Sequence, residues 1–175
     1  MLELYQKPRD FDRFQDYLKL LQGNTKGDLV LPIGGFNPMA KEHVLQKLTE
    51  LKELEMESII QNAIDELNIH FKNDKNTTVF KVAFNLSDDF GGGWTNRFTA
   101  DFDSKFKMNA LMERGFCVPL LWTSELFTPN LIMQRVLEYA FRYYYWLMHP
   151  QPNTLKEHIE QEIFVARRTV AIPPQ

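Results

Sequence analysis

Phe11, Phe14, Tyr17, Leu18 and Leu21 recur at spacings of three and four after Asp10, which places them on one face of a helix that Gly23-Asn24 would end. That helix is expected to pack on the outside. Residues 29–33 (LVLPI) form a short apolar run with Pro32 inside it. Proline cannot donate to a ladder, so the run reads as an edge strand or an extended buried connection, broken by Gly34-Gly35. Asn37-Pro38 reads as a helix start, because Asn can cap free N–H groups and proline at the first helical position loses no bond. Val44, Leu45, Leu48, Leu51, Leu54, Ile59, Ile60, Ile64 and Leu67 then keep a helical period to about Asn68. The pattern predicts one long helix, or two separated near Glu57-Ser58.

A turn cluster at residues 73–76 leads into residues 78–85 (TVFKVAFN), whose β-branched and aromatic content predicts a central strand. Asp88, Asp89 and the run Gly91-Gly92-Gly93 follow, and residues 94–100 (WTNRFTA) alternate again, so a hairpin with a long glycine loop is expected. Residues 103–114 read as a short helix closed by Gly115, and residues 116–123 as a third strand. Pro129 opens a helix to Met148 that is apolar nearly all round, with Arg135, Glu138 and Arg142 as its one charged stripe; this is the expected central helix. Pro150 and Pro152 end it, Thr154 and Glu157 have capping-box spacing for a last helix to about Arg168, and residues 169–175 read as a loose tail. The order implies one α+β domain with a small, mostly antiparallel sheet packed by helices; a parallel α/β arrangement is the alternative.

Composition narrows the classes. With 175 residues, 44% hydrophobic and 25% charged, the chain is long enough for a single core without staples. A net charge of -3 offers no general attraction to nucleic acid or anionic membrane, so neither is expected as a partner. Gln134, Arg135, Glu138 and Arg142 interrupt the most apolar segment, residues 131–148, which argues against a membrane span. The single cysteine, Cys117, excludes an intrachain disulfide, and the mixed N-terminal residues lack a secretory pattern; both point to the cytoplasm.

Several groups could carry chemistry. Gly34-Gly35-Phe36-Asn37-Pro38 with His43 resembles the nucleotidylyltransferases, in which a first strand leads through glycines and Phe-Asn-Pro into a helix bearing His-x-Gly-His. The chain departs from that pattern at Ala40, where the family has its first histidine, and at Glu42, where it has glycine. No later Ser/Thr-rich phosphate loop ending in Arg is present, and the resemblance covers under a tenth of the chain. Gly91, Gly92 and Gly93 can turn backbone N–H groups toward an anion, and Trp94 and Arg97 beside them could grip a small planar or carboxylated ligand. A plain flexible loop explains the same residues.

Asp101 and Asp103 would share one side of a strand and, with Asp88 or Asp89, could form an oxygen-rich Mg²⁺ site or an acid–base pair; they could equally be solvated or capping. His43, His70, His149 and His158 fit no metal-ligand spacing, although His158 and Glu162 share a helix face. Cys117 reads as a small core residue. Arg135, Glu138 and Arg142 are either the wet line of a core helix or the lining of an internal anion-accepting cleft with tyrosine walls. The expectation is a non-enzymatic module that binds a small ligand or a protein, with homodimerisation compatible and no cofactor identified. The alternative is a small hydrolase or transferase built on Asp88, Asp89, Arg97, Asp101 and Asp103, helped by Glu42 and His43.

Overall fold

The computed structural model describes residues 1–22, 37–72, 74–75, 78–90 and 96–172. Of these, 63% are helical, in eight helices, and the only strands among them are two very small parallel pairs. The expected mostly antiparallel sheet is therefore corrected: the protein is helix-dominated. The extended run at residues 29–33, the Gly34-Gly35 break, and Gly91, Gly92, Gly93 and Trp94 lie outside the described residues.

Helix α1 (Leu2–Tyr5) is followed by α2 (Phe11–Gln22). The face that α2 buries keeps only Tyr17 and Leu21 of the apolar stripe read from the sequence and adds Arg13 to them. Arg13, Tyr17 and Leu21 point inward, whereas Phe11, Phe14 and Leu18 are exposed. Arg13 can be buried because its nitrogens donate to the Ala40 and Lys7 carbonyls at 3.2 and 3.3 Å and its guanidinium lies over the Tyr5 ring. Asn37-Pro38 does not start a helix. Asn37 Oδ1 accepts from Met39 N–H at 2.8 Å, which closes a turn, and α3 (Glu42–Glu53) begins four residues after the proline. Helix α4 (Met56–His70) follows a break at Leu54-Glu55, slightly before the expected position, where Glu55 takes a left-handed φ of 53°.

Strand β1 (Lys81–Val82) and then β2 (Asn85–Ser87) come from the expected central strand. Helices α5 (Arg97–Phe106) and α6 (Asn109–Glu113) lead to β3 (Phe116–Cys117) and β4 (Leu120–Trp122). β1 pairs with β3 and β2 with β4, both parallel and at the same sequence offset, so they form one twisted ribbon interrupted once. Pro119 sits in the interruption on one side and has no N–H to donate. Parallel pairing needs a long crossover, and α5 and α6 provide it. The hairpin reading fails at Asn96: its side chain accepts from Thr99 N–H at 3.1 Å and caps α5, so the alternating residues 96–100 enter a helix.

Helix α7 (Pro129–Met148) is central, as its composition predicts, with α4 and α8 (Leu155–Val170) packed against it. Thr128 caps α7 through Leu131 N–H, and both arms of the Thr154–Glu157 capping box open α8. Alternation along the ribbon feeds two clusters. Leu86 and Leu121 join Val44, Leu48, Leu51 and Ile132. Cys117, Leu120 and Trp122 join Ala63, Leu67, Val136, Ala140, Phe141 and Val165. Each fully buried Leu or Phe contributes about 1.5–3 kcal/mol of transfer free energy. Among the described residues no helix is long and apolar enough to cross a membrane.

Candidate functional site

A cleft of about 510 Å³ lies between α5 on one wall and α7, α8 and the end of β4 on the other. Helical periodicity builds the first wall, since Arg97, Asp101 and Lys105 stand at i, i+4, i+8 and Phe98, Phe102 and Phe106 form the adjoining row. Trp122, Glu125, Arg135, Glu138 and Glu162 complete the lining. Three cations thus face four carboxylates across aromatic side chains. Lys105 pairs with Asp101 at 2.8 Å, and Arg135 donates to Glu125 at 2.7 Å and to the Leu120 carbonyl at 2.5 Å. Arg97 lies over the Trp122 ring, 5.4 Å from its centroid.

Behind this lining Arg142 is almost fully buried, with 3% of its side chain exposed. Its Nε and Nη2 donate to the two oxygens of Glu162 at 2.8 and 2.6 Å. Burial alone would push the Glu162 carboxyl up; the Arg142 hydrogen bonds and charge overcome it and hold the carboxyl below its ordinary range. Burial disfavours the Arg142 cation in the same way, and Glu162 and Glu138 more than offset it, so its net shift is upward. The remaining Nη1 has no hydrogen-bond partner and stands 4.0 Å from Glu138. Tyr139 shares a 2.6 Å hydrogen bond with Ser104, and burial pushes its hydroxyl up to about 12.

Arg97, Asp101, Arg135 and Glu138 therefore line one cleft, with Arg142 supporting it from behind. Asp103 does not join them. Because residues 97–106 are helical, Asp101 and Asp103 point to roughly opposite sides, and Asp103 pairs with Lys107 at 2.8 Å; the shared strand face is corrected. Glu42 lines a different cleft with Arg13 and Lys41. Another cleft, about 670 Å³ between α1, α3, α4 and residues 83–84, is mostly apolar and contains none of the predicted residues. Its charged side chains are limited to Lys52, Glu55 and Glu57, against seven in the α5–α7 cleft, so it offers less chemistry.

A second constellation sits where β2 and β4 end side by side. Asp88 follows β2; its Oδ1 accepts from His43 Nε2 at 2.8 Å, Thr123 Oγ1 at 3.0 Å and Phe90 N–H at 3.2 Å. Asp89 accepts from Ser124 N–H and Oγ and from Arg97 Nη1, and its Oδ1 lies 3.2 Å from Thr123 Oγ1, whose single proton it shares with Asp88. Burial raises the Asp89 carboxyl, but the Ser124 and Thr123 bonds and the Arg97 charge outweigh it and hold it low. Both Asp89 oxygens and Asp88 Oδ1 are thus held by protein donors. Among the described residues no group of three or more His, Cys, Asp or Glu side chains is placed to hold a metal.

The other histidines serve packing. His158 stacks on Phe106 and bonds the Pro152 carbonyl, so it does not share a site with Glu162; His70 packs on Phe71 and His149 on Tyr145. Cys117 is buried, which pushes its thiol up to about 12 and leaves it unreactive. Sequence reasoning missed Lys105, Glu125 and Glu162 in the cleft and Thr123 and Ser124 in the network. Lys105 was visible as an i+4 partner of Asp101; Glu162 had no such signal, because its partner lies on another helix. Compared with protein-family models, curated proteins and solved structures, the chain matches none, and the resemblance at residues 34–43 gains no support.

Proposed function

We propose that the protein binds a small amphoteric ligand, one carrying a cationic and an anionic group on an apolar or aromatic body, in the cleft between α5, α7 and α8. The observation that carries this reading is the lining itself: three cations and four carboxylates held in ion pairs around Phe98, Phe102, Phe106 and Trp122. A ligand with only an anionic group would displace one carboxylate and leave others facing it, and a purely cationic ligand meets the converse problem. A ligand with both groups can exchange partners with a pair such as Arg135–Glu125 while its apolar body covers the phenylalanines.

Three probes of one shape test this: L-phenylalanine, phenethylamine and 3-phenylpropionate, each titrated while the melting temperature is followed. Native-state binding stabilises the fold through linkage, by about 2.7 kcal/mol at a hundredfold excess over Kd, and so raises Tm. The amphoteric probe is expected to raise Tm and the two singly charged probes to leave it near its starting value. Arg135→Met should remove the response. Equal responses to all three, or none, contradict the reading.

A further inference from the structure

We infer that His43 and Asp88 form a solvent-facing proton-accepting pair, able to activate water against an uncharged acyl carbonyl, beyond and independent of the binding cleft. Asp88 is nearly buried and takes three hydrogen bonds on one oxygen, so it is held in place; His43 stays 30% exposed. A carboxylate only accepts, so Nε2 of His43 carries the proton and Nδ1 keeps its lone pair. Among the described residues no protein group engages Nδ1. The edge-to-face contact with Phe90, at 5.3 Å, orients the ring and supplies an apolar wall beside it. Asp88 and Thr123 stand directly after β2 and β4, so the parallel pairing of the two strands fixes them side by side.

The nucleophile follows by elimination among the described side chains. Cys117 is buried with a raised pKa, the Thr123 hydroxyl is fully buried and held by Asp88 at 3.0 Å, and the Ser124 hydroxyl is bound to Asp89 and Arg97 at 2.6 and 2.9 Å. Water is left. As the water oxygen bonds to the acyl carbon, His43 Nδ1 takes its proton, and the imidazolium is stabilised by the Asp88 carboxylate. The same proton then passes to the departing alkoxide or phenolate as the acyl–oxygen bond breaks. Ester and water become acid and alcohol, with no other reactant. Two adjacent carboxylates, Asp88 and Asp89, disfavour a phosphate ester, which is why the electrophile is assigned as an uncharged carbonyl. His43 is the proton acceptor and Asp88 a positioning residue.

The test uses the full chain with p-nitrophenyl acetate as the probe. His43→Gln should slow release of p-nitrophenolate by roughly tenfold or more. Asp88→Asn keeps the acceptor oxygen and removes its charge, and should lower the rate while His43 stays protonated at Nε2. His149→Gln should leave the rate unchanged. Wild-type hydrolysis should be slower in D₂O, because a proton is in transfer as the water oxygen bonds to the acyl carbon. In the ¹⁵N spectrum, wild-type His43 should show a protonated Nε2 and a bare Nδ1, and Asp88→Ala should populate both tautomers. Equal rates in wild type and His43→Gln overturn the inference. So does the opposite tautomer in the wild type, or an acetylated His43 accumulating without a solvent isotope effect.

Discussion

Replacing Glu162 by Gln probes the most consequential charge arrangement in the protein. Arg142 is 3% exposed and spends two of its donors on Glu162, while its Nη1 is already unpartnered. The amide keeps one acceptor and removes the balancing charge. Breaking a fully buried pair from one side costs about 3–5 kcal/mol. Glu162 is 37% exposed and Glu138 lies 4.0 Å from Nη1, so solvent and the second carboxylate reduce the expected loss to roughly 2 kcal/mol. With a urea slope of about 2 kcal/mol per molar, the unfolding midpoint at pH 7 should fall by about 1 M.

The pH dependence has a definite sign. The Glu162 carboxyl titrates lower in the folded protein than its ordinary value of 4.5, so its contribution is complete above that value and is lost as pH falls through the folded value. The midpoints of wild type and Glu162→Gln should therefore converge in acid. Replacing both partners, as in Arg142→Met with Glu162→Leu, should recover much of the loss, because an apolar pair leaves no uncompensated charge. Urea titrations followed by circular dichroism at pH 7 and pH 3.5 measure all of this. A Glu162→Gln loss no larger than that of Glu160→Gln, whose Lys156 pair is exposed at 3.7 Å, would refute the reasoning.

Three further outcomes follow from local geometry. Cys117, whose thiol burial pushes up to about 12, should resist a disulfide reagent at pH 8 in the native protein and react promptly in denaturant; fast native labelling contradicts its placement. Gly115 has φ +68°, and an added Cβ would meet only the Val79 carbonyl at 3.9 Å, so Gly115→Ala should cost about 1–2 kcal/mol from backbone strain alone in chemical denaturation. Thr154→Ala removes the side-chain arm of the α8 capping box and should lower stability by about 1 kcal/mol, with Thr154→Ser restoring most of it.

Helices whose signals are local could be read from the sequence. Pro129 with its apolar run predicts α7, and Thr154 with Glu157 predicts the opening of α8, because caps and period act within a few residues. α5 was hidden because residues 94–100 alternate like a strand; the Asn96 cap, a local signal that competes with that alternation, decides the element. The sheet was misread for a different reason. Two β-rich runs predict pairing but not direction, and direction depends on whether the intervening residues turn or fold, which here they do as α5 and α6. For the same reason the cleft was half legible: Arg97, Asp101, Arg135 and Glu138 stood out as unusual charges, whereas Glu125 and Glu162 acquire their roles only through packing. His43 and Asp88 are 45 residues apart, and only the ribbon and the first turn of α3 bring them to 2.8 Å.

The most direct test of the binding account is an ¹H–¹⁵N titration of the labelled protein with L-phenylalanine. Saturable shifts are predicted at the Trp122 indole N–H, the amides of residues 97–106 and the amides of Arg135 and Glu138, and they should vanish in Arg135→Met. Shifts confined to the apolar cleft around Leu48, Leu51 and Met56, or no saturable shift at millimolar probe, would contradict it.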